Sequence, residues 1–285
     1  MLLMLGPLVV VPLGIGLLRP QALWTMLAAP FAAAAIVVRG FREEANAVAT
    51  VLASLWLLAV LCAAVPPCWR WIVKPESKRF NLAYLLPLAA LTELCVAAAW
   101  LVAATMRIEL MGFSDSIVLL TAVHFHMAGF GACAVACLRI RSASTPGEQQ
   151  WAKRAAALVL AASPVVAIGH LTSGALELTG GLLLTFGVWT VAVLGWRDST
   201  RRAGIQRILL RIAALAPVLP MLLALHYGLT RVSDITPLGY NTIALIHGSI
   251  NALGFLAANL LAETLSPRDE QTGLLKSLDP VSVSR

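Results

Sequence analysis

The segment IVLLTAVHFHMAGFGACAVACL, residues 117–138, decides the fold, because it is an unbroken apolar run that carries two histidines. An α-helix needs about 20 apolar residues to cross the hydrocarbon core of a bilayer. The histidines, His124 and His126, are ionisable groups that are costly in lipid and normally face the interior of a helix bundle. The segment therefore predicts a membrane-spanning helix that turns polar side chains toward protein.

The composition of the whole chain supports the same class. Of its 285 residues, 59% are apolar and 12% are charged, and the mean hydropathy is +0.84. Soluble domains usually contain about 25% charged residues. The apolar runs are continuous rather than alternating, which favours helices over a β-barrel. The sequence predicts an all-α, polytopic helical membrane protein whose first partner is the lipid bilayer.

Apolar runs of spanning length recur along the chain and predict about nine transmembrane helices. They cover approximately residues 2–18, 22–38, 45–65, 82–106, 117–138, 154–174, 176–196, 206–228 and 240–262. The predicted organisation is one transmembrane bundle, residues 1–263, followed by a short polar cytoplasmic tail, residues 264–285.

Basic residues are distributed unevenly between the connections. Of the 21 Lys and Arg residues, all but Arg39, Arg42, Arg107 and Arg231 follow the first, third, fifth, seventh or ninth run. Cytoplasmic connections carry an excess of Lys and Arg. The distribution predicts that the N-terminus lies outside and the C-terminus in the cytoplasm. It also explains the net charge of +7 without a nucleic-acid partner.

This orientation gives each polar residue in the membrane a depth, at about 1.5 Å per helical residue. His126 and His247 are expected roughly 10–14 Å below the outer ends of their helices. Glu93 is expected near the middle of the fourth helix. The candidate catalytic residues are Glu93, His126, His247 and Asn251, and they are expected to converge on one cavity in the outer half of the bundle.

The candidate binding residues lie near these groups or close to the outer ends of helices. They are His124, His170, Glu177 and His226. His124 and His126 are two residues apart, so an α-helix points them about 200° apart and they cannot both ligate one metal. His247 and Asn251 are four residues apart and share a face.

The segments TAVHFHMAGF and IHGSINALGF align on their Gly-Phe pairs, which places His126 opposite Asn251. A diverged internal repeat, common among transporters, would produce this alignment. With its HFHMAGF and HGSINALGF motifs, the chain resembles the YndJ-like family of bacterial membrane proteins over approximately helices four to nine. The resemblance implies a multi-pass protein of the bacterial cell membrane, often labelled a transporter, with sites at His126, His247, Asn251 and Gly254.

Three functions fit these residues. The favoured hypothesis is an intramembrane enzyme, for example a cyclase, isomerase or hydrolase, acting on a lipophilic small molecule such as an isoprenoid. In that enzyme Glu93 would be the acid, His126 or His247 the base and Asn251 the positioning group. The first alternative is a transporter of a small molecule. The second is a haem- or metal-binding protein; the enzyme hypothesis requires no cofactor.

The enzyme hypothesis depends on a one-sided distribution of polar groups. They gather in the predicted outer half of the membrane, whereas Ala, Leu and Val dominate the inner half. A carrier is expected to show polar groups along its whole length, and the sequence suggests that this chain does not.

Overall fold

The computed structural model describes residues 2–41, 44–73, 81–236 and 238–266, and these residues are predominantly helical. None of them lies in a β-strand, which confirms the predicted all-α class. Of the predicted tail, residues 267–285 lie outside the described part.

Within the described residues, seven helices are long and apolar enough to cross a membrane, and two apolar helices near the N-terminus are shorter. In chain order they are α1 Gly6–Leu18, α2 Trp24–Gly40, α3 Ala47–Ile72, α4 Leu82–Thr105, α5 Asp115–Ser142, α6 Pro146–Thr172, α7 Gly174–Ser199, α8 Gly204–Thr230 and α9 Leu245–Thr264, the last continuing a helix that begins at Tyr240. Each predicted apolar run therefore corresponds to one helix. A chain with this many spanning-length helices has the character of a membrane protein.

The chain forms two compact units. Unit 1 contains the described residues within 1–79 and 87–134, and unit 2 contains those within 80–86 and 135–285. Helix α5 contributes to both, because the boundary falls between Ala134 and Val135.

Capping residues explain where two of the long helices begin. The side chain of Asn46 accepts a hydrogen bond from the Ala49 amide at 3.1 Å, which fixes the start of α3. At the start of α6, the Thr145 hydroxyl accepts from the Glu148 amide, and the Glu148 carboxylate accepts from the Ser144 amide at 3.0 Å. Such caps satisfy backbone N–H groups that have no partner within the first helical turn.

Glycines let helices of unit 1 approach closely around the histidine motif. A Cβ atom on Gly6 would lie 3.0 Å from the His126 Cβ, and one on Gly14 would lie 2.6 Å from the Phe130 ring. Small residues at such contacts are a common device of membrane helix packing. Helix α1 is thereby fixed against the HFHMAGF segment of α5.

A tight hairpin organises unit 2. A single residue, Ser173, separates the 27 residues of α6 from the 26 residues of α7. The two helices are in close contact at Gly169, where a Cβ atom would lie 2.2 Å from the Glu177 backbone nitrogen. Both helices have spanning length, so the hairpin brings side chains near the end of α6 against the first turn of α7.

Candidate functional site

His126 occupies a closed position in unit 1. Its side chain is buried, its Nδ1 lies 2.8 Å from the Ala122 carbonyl oxygen, and its Nε2 lies 3.1 Å from the Trp56 indole nitrogen. A carbonyl can only accept and an indole N–H can only donate. His126 is therefore the neutral tautomer with hydrogen on Nδ1, and both ring nitrogens are used within the unit. The two ring planes are within 17° of parallel, with centroids 6.1 Å apart, so the rings meet edge to edge through this hydrogen bond.

Glu93 and His124 lie near the HFHMAGF segment of α5 in different environments. Glu93 is half-buried on α4 and contacts the backbone of α5: a Cβ atom on Gly129 would lie 2.8 Å from its Oε2. His124 is exposed, whereas His126 is buried. The opposite environments of the two histidines agree with the angle of about 200° expected for residues two apart.

His247 and Asn251 form a hydrogen-bonded pair in unit 2. His247 Nδ1 lies 2.8 Å from the Pro220 carbonyl oxygen, and its Nε2 lies 3.4 Å from Asn251 Nδ2. In the neutral ring that donates from Nδ1 to the carbonyl, Nε2 accepts from the Asn251 amide group. This orientation leaves Asn251 Oδ1 buried without a hydrogen-bond partner. A buried acceptor in this state suits a water molecule or a ligand that carries a donor.

The two motifs that align in the sequence adopt the same unusual backbone. Residues Phe125–Gly131 of α5 and Ile250–Ala257 of α9 are π-helical, and each segment begins four residues before its Gly-Phe pair. A π turn holds one more residue than an α turn and often marks a functional site. The shared local structure supports the alignment that pairs His126 with Asn251.

His170, Glu177 and Arg231 form a hydrogen-bonded cluster at one end of unit 2. Glu177 Oε1 lies 2.8 Å from His170 Nδ1, and its Oε2 lies 3.2 Å from Arg231 Nε. The Glu177 side chain is 8% exposed, whereas those of His170 and Arg231 are 33% and 45% exposed. A buried carboxylate thus orients two groups that reach the surface.

His226 lies on α8 and is half-buried, and its Nε2 atom is buried without a hydrogen-bond partner. It is therefore not simply solvated at the end of its helix. Among the predicted site residues of unit 2, hydrogen bonds join His247 to Asn251 and His170 to Glu177.

The sequence analysis missed the most buried charges of unit 2. Arg139 Nη1 lies 2.9 Å from Asp198 Oδ2, and Arg139 Nη2 contacts Glu263 Oε1. The three side chains are 1%, 3% and 5% exposed. The sequence predicts that Arg139 lies in the connection after the fifth run, but α5 continues to Ser142 and Arg139 is buried. Asn259, one turn before Glu263 on α9, is buried as well.

This cluster extends the buried polar groups of unit 2 beyond the candidate residues His247 and Asn251. Helix α9 carries polar side chains from His247 to Glu263, and the Arg139 cluster lies at its C-terminal end. One signal was available in the sequence: Asn259 and Glu263 continue the four-residue spacing of His247 and Asn251.

A metal centre built from three or more protein ligands is not formed by the described residues. No group of three His, Cys, Asp or Glu side chains lies close enough there to hold an ion. Zinc and iron sites usually need about three such ligands. The haem hypothesis, which needs only one or two histidines, remains a prediction.

Comparison with known proteins identifies a family but no characterised relative. No curated protein and no solved structure matches the chain. The family profile described as YndJ-like protein matches residues 1–255, a longer stretch than the helices that carry the two motifs. The chain therefore belongs to the YndJ-like family.

Proposed function

We propose that this chain is a transporter of a small polar solute, and that α9 lines the path through unit 2. The observation that carries the proposal is the series of polar side chains along this helix: His247, Asn251, Asn259 and Glu263. His247 and Asn251 are half-buried, and Asn259 and Glu263 are buried. Polar groups inside spanning segments are expensive and mark substrate or ion pathways.

The π segment of α9 brings this series onto one side of the helix. In an uninterrupted α-helix, the directions of the four side chains would spread over about 160°. A π turn adds one residue to the helix, so the side chains of Asn259 and Glu263 are rotated back by about 100° relative to those before the turn. The directions of the four polar side chains then fall within about 60°. The neighbours of this series in unit 2 are Pro220 at His247, Gly195 near Asn259, and Arg139 at Glu263.

Charged clusters at the two ends of unit 2 support a path rather than a closed pocket. His170, Glu177 and Arg231 join the end of α6 to the start of α7 and the end of α8. Arg139, Asp198 and Glu263 join the opposite end of α7 to the end of α9. A carrier needs groups that open and close at both ends, and breakable ion pairs can supply them.

The paired π segments also favour a transporter. The spans that contain them, α5 and α9, are separated by three spanning-length helices, so they run in the same direction if each helix crosses once. A parallel repeat of four helices follows from this arrangement, and internal repeats with broken helices near the binding site are typical of transporters. The first helix would then stand outside the repeat.

The solute class follows from the atom that lacks a partner. Asn251 Oδ1 is a buried acceptor in the middle of the polar series. We assign it to binding the solute, which must then carry an N–H or O–H donor. Burying such an acceptor without a partner costs about 1–3 kcal/mol, which the bound solute would recover.

We also propose nine crossings, with the N-terminus outside and the C-terminus in the cytoplasm of the bacterial cell membrane. Helices α1 and α2 are shorter than the other seven, and the helical turns around Pro20–Ala28 lengthen the second. Basic residues on the predicted outer side depart from the cytoplasmic excess of Lys and Arg, and those that the structure describes have acidic partners. Arg39 and Arg107 bind Asp115, and Arg231 binds Glu177. Arg42 lies outside the described residues.

The intramembrane acid–base enzyme remains the second candidate, and a specific contact favours it. Glu93, the proposed acid, lies against Gly129 of the π segment that also carries His126, the proposed base. A half-buried carboxyl beside a histidine-bearing segment suits acid–base chemistry on a lipophilic substrate. Against it, both ring nitrogens of His126 are already hydrogen-bonded in this conformation.

Sealed proteoliposomes test the proposal against the enzyme. The purified chain is reconstituted, and uptake of radiolabelled amino acids, sugars, polyols and small amides is measured. We expect saturable uptake of an unmodified solute, reduced about tenfold or more by Asn251→Leu, since a buried hydrogen bond of about 1.4 kcal/mol corresponds to that factor. Leu245→Ala is the matched control, because Leu245 lies on the same helix and is 59% exposed.

Two outcomes decide against the transporter. Uptake that is equal in Asn251→Leu and in the unmodified protein would remove α9 as the path. Chemical conversion of an isoprenoid-like compound, abolished by Glu93→Gln and unaccompanied by uptake of any solute in the panel, would support the enzyme.

A further inference from the structure

An open apolar groove runs along the surface of unit 2. Its walls are Ile212, Leu215 and Ala216 of α8 and Ile250, Leu253 and Gly254 of the π segment of α9. The groove exists because small residues bring the two helices together: a Cβ atom on Gly254 would lie 2.6 Å from the Ala216 Cβ. The larger side chains on both sides of this contact, among them Leu215 and Leu253, extend from the surface and form the walls of the groove.

The walls of the groove suit hydrocarbon. Ile212, Leu215 and Leu253 are 48%, 63% and 52% exposed. The one hydroxyl in the lining, that of Ser249, already donates to the Leu245 carbonyl at 2.5 Å. The groove therefore offers no unsatisfied side-chain group to a polar partner, whereas an alkyl chain would fill it by contact alone.

Positive charge stands at one end of the groove. Arg211 precedes Leu215 by one helical turn on the same face, and Arg207 lies one turn further back. Both arginines are exposed, and Arg211 lies over the Trp196 ring at 5.4 Å. Helical side chains point toward the helix N-terminus, so Arg211 extends away from the groove, as a long cationic side chain does at a membrane interface.

We propose that this groove binds an anionic phospholipid, with an acyl chain between α8 and α9 and the phosphate at Arg211. The occupant is a lipid rather than a protein because the groove combines an almost entirely apolar lining with a cation near one end, which matches the two parts of a phospholipid. Tryptophan beside the arginine marks the depth at which headgroups lie. The proposal requires membrane embedding and is independent of the transport activity.

The test compares two lipids on the full-length chain. The protein is purified in detergent and titrated with phosphatidylglycerol or phosphatidylcholine, and bound lipid is counted by native mass spectrometry. We expect preferential retention of phosphatidylglycerol and about fivefold weaker retention in Arg211→Gln, because one basic residue near an anionic headgroup contributes about 1 kcal/mol. Ser249→Phe should fill the groove and reduce the retention of both lipids.

Two matched variants serve as controls. Arg154→Gln removes an arginine that also lies over a tryptophan ring, 5.0 Å from the Trp151 centroid, but it lies on α6, which contributes no residue to the groove. Ile205→Phe adds the same ring on an exposed position of α8 outside the groove. Both should retain phosphatidylglycerol like the unmodified chain.

Two results would overturn the proposal. Equal retention of the two lipids, unaffected by Arg211→Gln, would mean that the groove carries only unspecific boundary lipid. A lipid-free dimer that Ser249→Phe dissociates would mean that a second copy of the chain occupies it. Thermal unfolding of each variant without added lipid separates a lost site from a damaged fold.

Discussion

At the scale of single residues, His126 has the surroundings of a structural side chain. Its two ring nitrogens have one partner each, and the donor to Nε2 is Trp56. Trp56→Phe removes this donor and leaves a buried acceptor unpaired, so we expect the free energy of unfolding to fall by about 1–3 kcal/mol. Thermal unfolding in detergent measures the change.

A second variant distinguishes the lost hydrogen bond from lost packing. In the double variant Trp56→Phe with His126→Phe both polar partners are absent, and replacing both partners by apolar groups is nearly neutral in hydrogen-bond terms. We therefore expect the double variant to be at least as stable as Trp56→Phe alone. Additive losses would indicate that packing, rather than the hydrogen bond, sets the cost.

Glu263 gives a second prediction at this scale. It contacts Arg139 in a cluster whose side chains are at most 5% exposed. Glu263→Gln leaves a buried guanidinium without one of its two carboxylates, and breaking a buried ion pair costs about 3–5 kcal/mol. Glu148→Gln, which weakens a pair with the 38%-exposed Arg201, should cost no more than about 1 kcal/mol. Similar losses in both variants would contradict the burial-based explanation.

These residues show where sequence reasoning succeeds and where it fails. Helical geometry alone predicts opposite directions for His124 and His126, and the structure has the first exposed and the second buried. The partner of His126 lies 70 residues away in the chain, and no local pattern reports that contact. Arg139 was misjudged because a basic residue near the end of an apolar run looks like a loop charge, and only tertiary packing reveals Asp198 and Glu263 around it.

At the scale of elements, the apolar runs were predictable and the π segments were not. The length of an apolar run predicts a spanning helix, but it does not indicate whether one turn of that helix holds an additional residue. That residue decides which side chains of α9 share a side, and so whether Asn259 and Glu263 continue the series of His247 and Asn251. The glycines in both motifs indicated close packing without indicating their partners.

The α6–α7 hairpin supplies the prediction at this scale. A Cβ atom on Gly169 would lie 2.2 Å from the Glu177 backbone nitrogen, so Gly169→Ala must push the two helices apart and disturb the His170–Glu177 pair. We expect a loss of roughly 3 kcal/mol or more, the range of severe overpacking. The measurement is thermal unfolding of the purified protein.

Gly181 is the matched control, because it lies in α7 and has no atom within 4 Å of an added Cβ. Gly181→Ala should be neutral or stabilise the helix by about 0.5–1 kcal/mol, since alanine loses less backbone entropy on folding. If Gly169→Ala were equally harmless, the close approach of α6 and α7 would not exist in the membrane.

At the scale of the whole molecule, the charge distribution predicts which connections face the cytoplasm. The connection after α7, near Thr200, is rich in arginine, whereas the connection after α8, near Ser233, follows the ion-paired Arg231. Thr200 and Ser233 are both exposed and can be replaced by cysteine with little effect on packing. Their labelling from outside the cell therefore reports the orientation directly.

The experiment uses a membrane-impermeant maleimide on intact cells, with the unmodified chain as the control for its five native cysteines. We expect additional labelling of Ser233→Cys from outside and additional labelling of Thr200→Cys only after the cells are opened, because α8 separates the two positions. The reverse pattern would invert the proposed topology and move the His170–Glu177–Arg231 cluster to the cytoplasmic face. External labelling of both positions would mean that α8 does not cross the membrane, which would also remove the basis for a parallel repeat of α5 and α9.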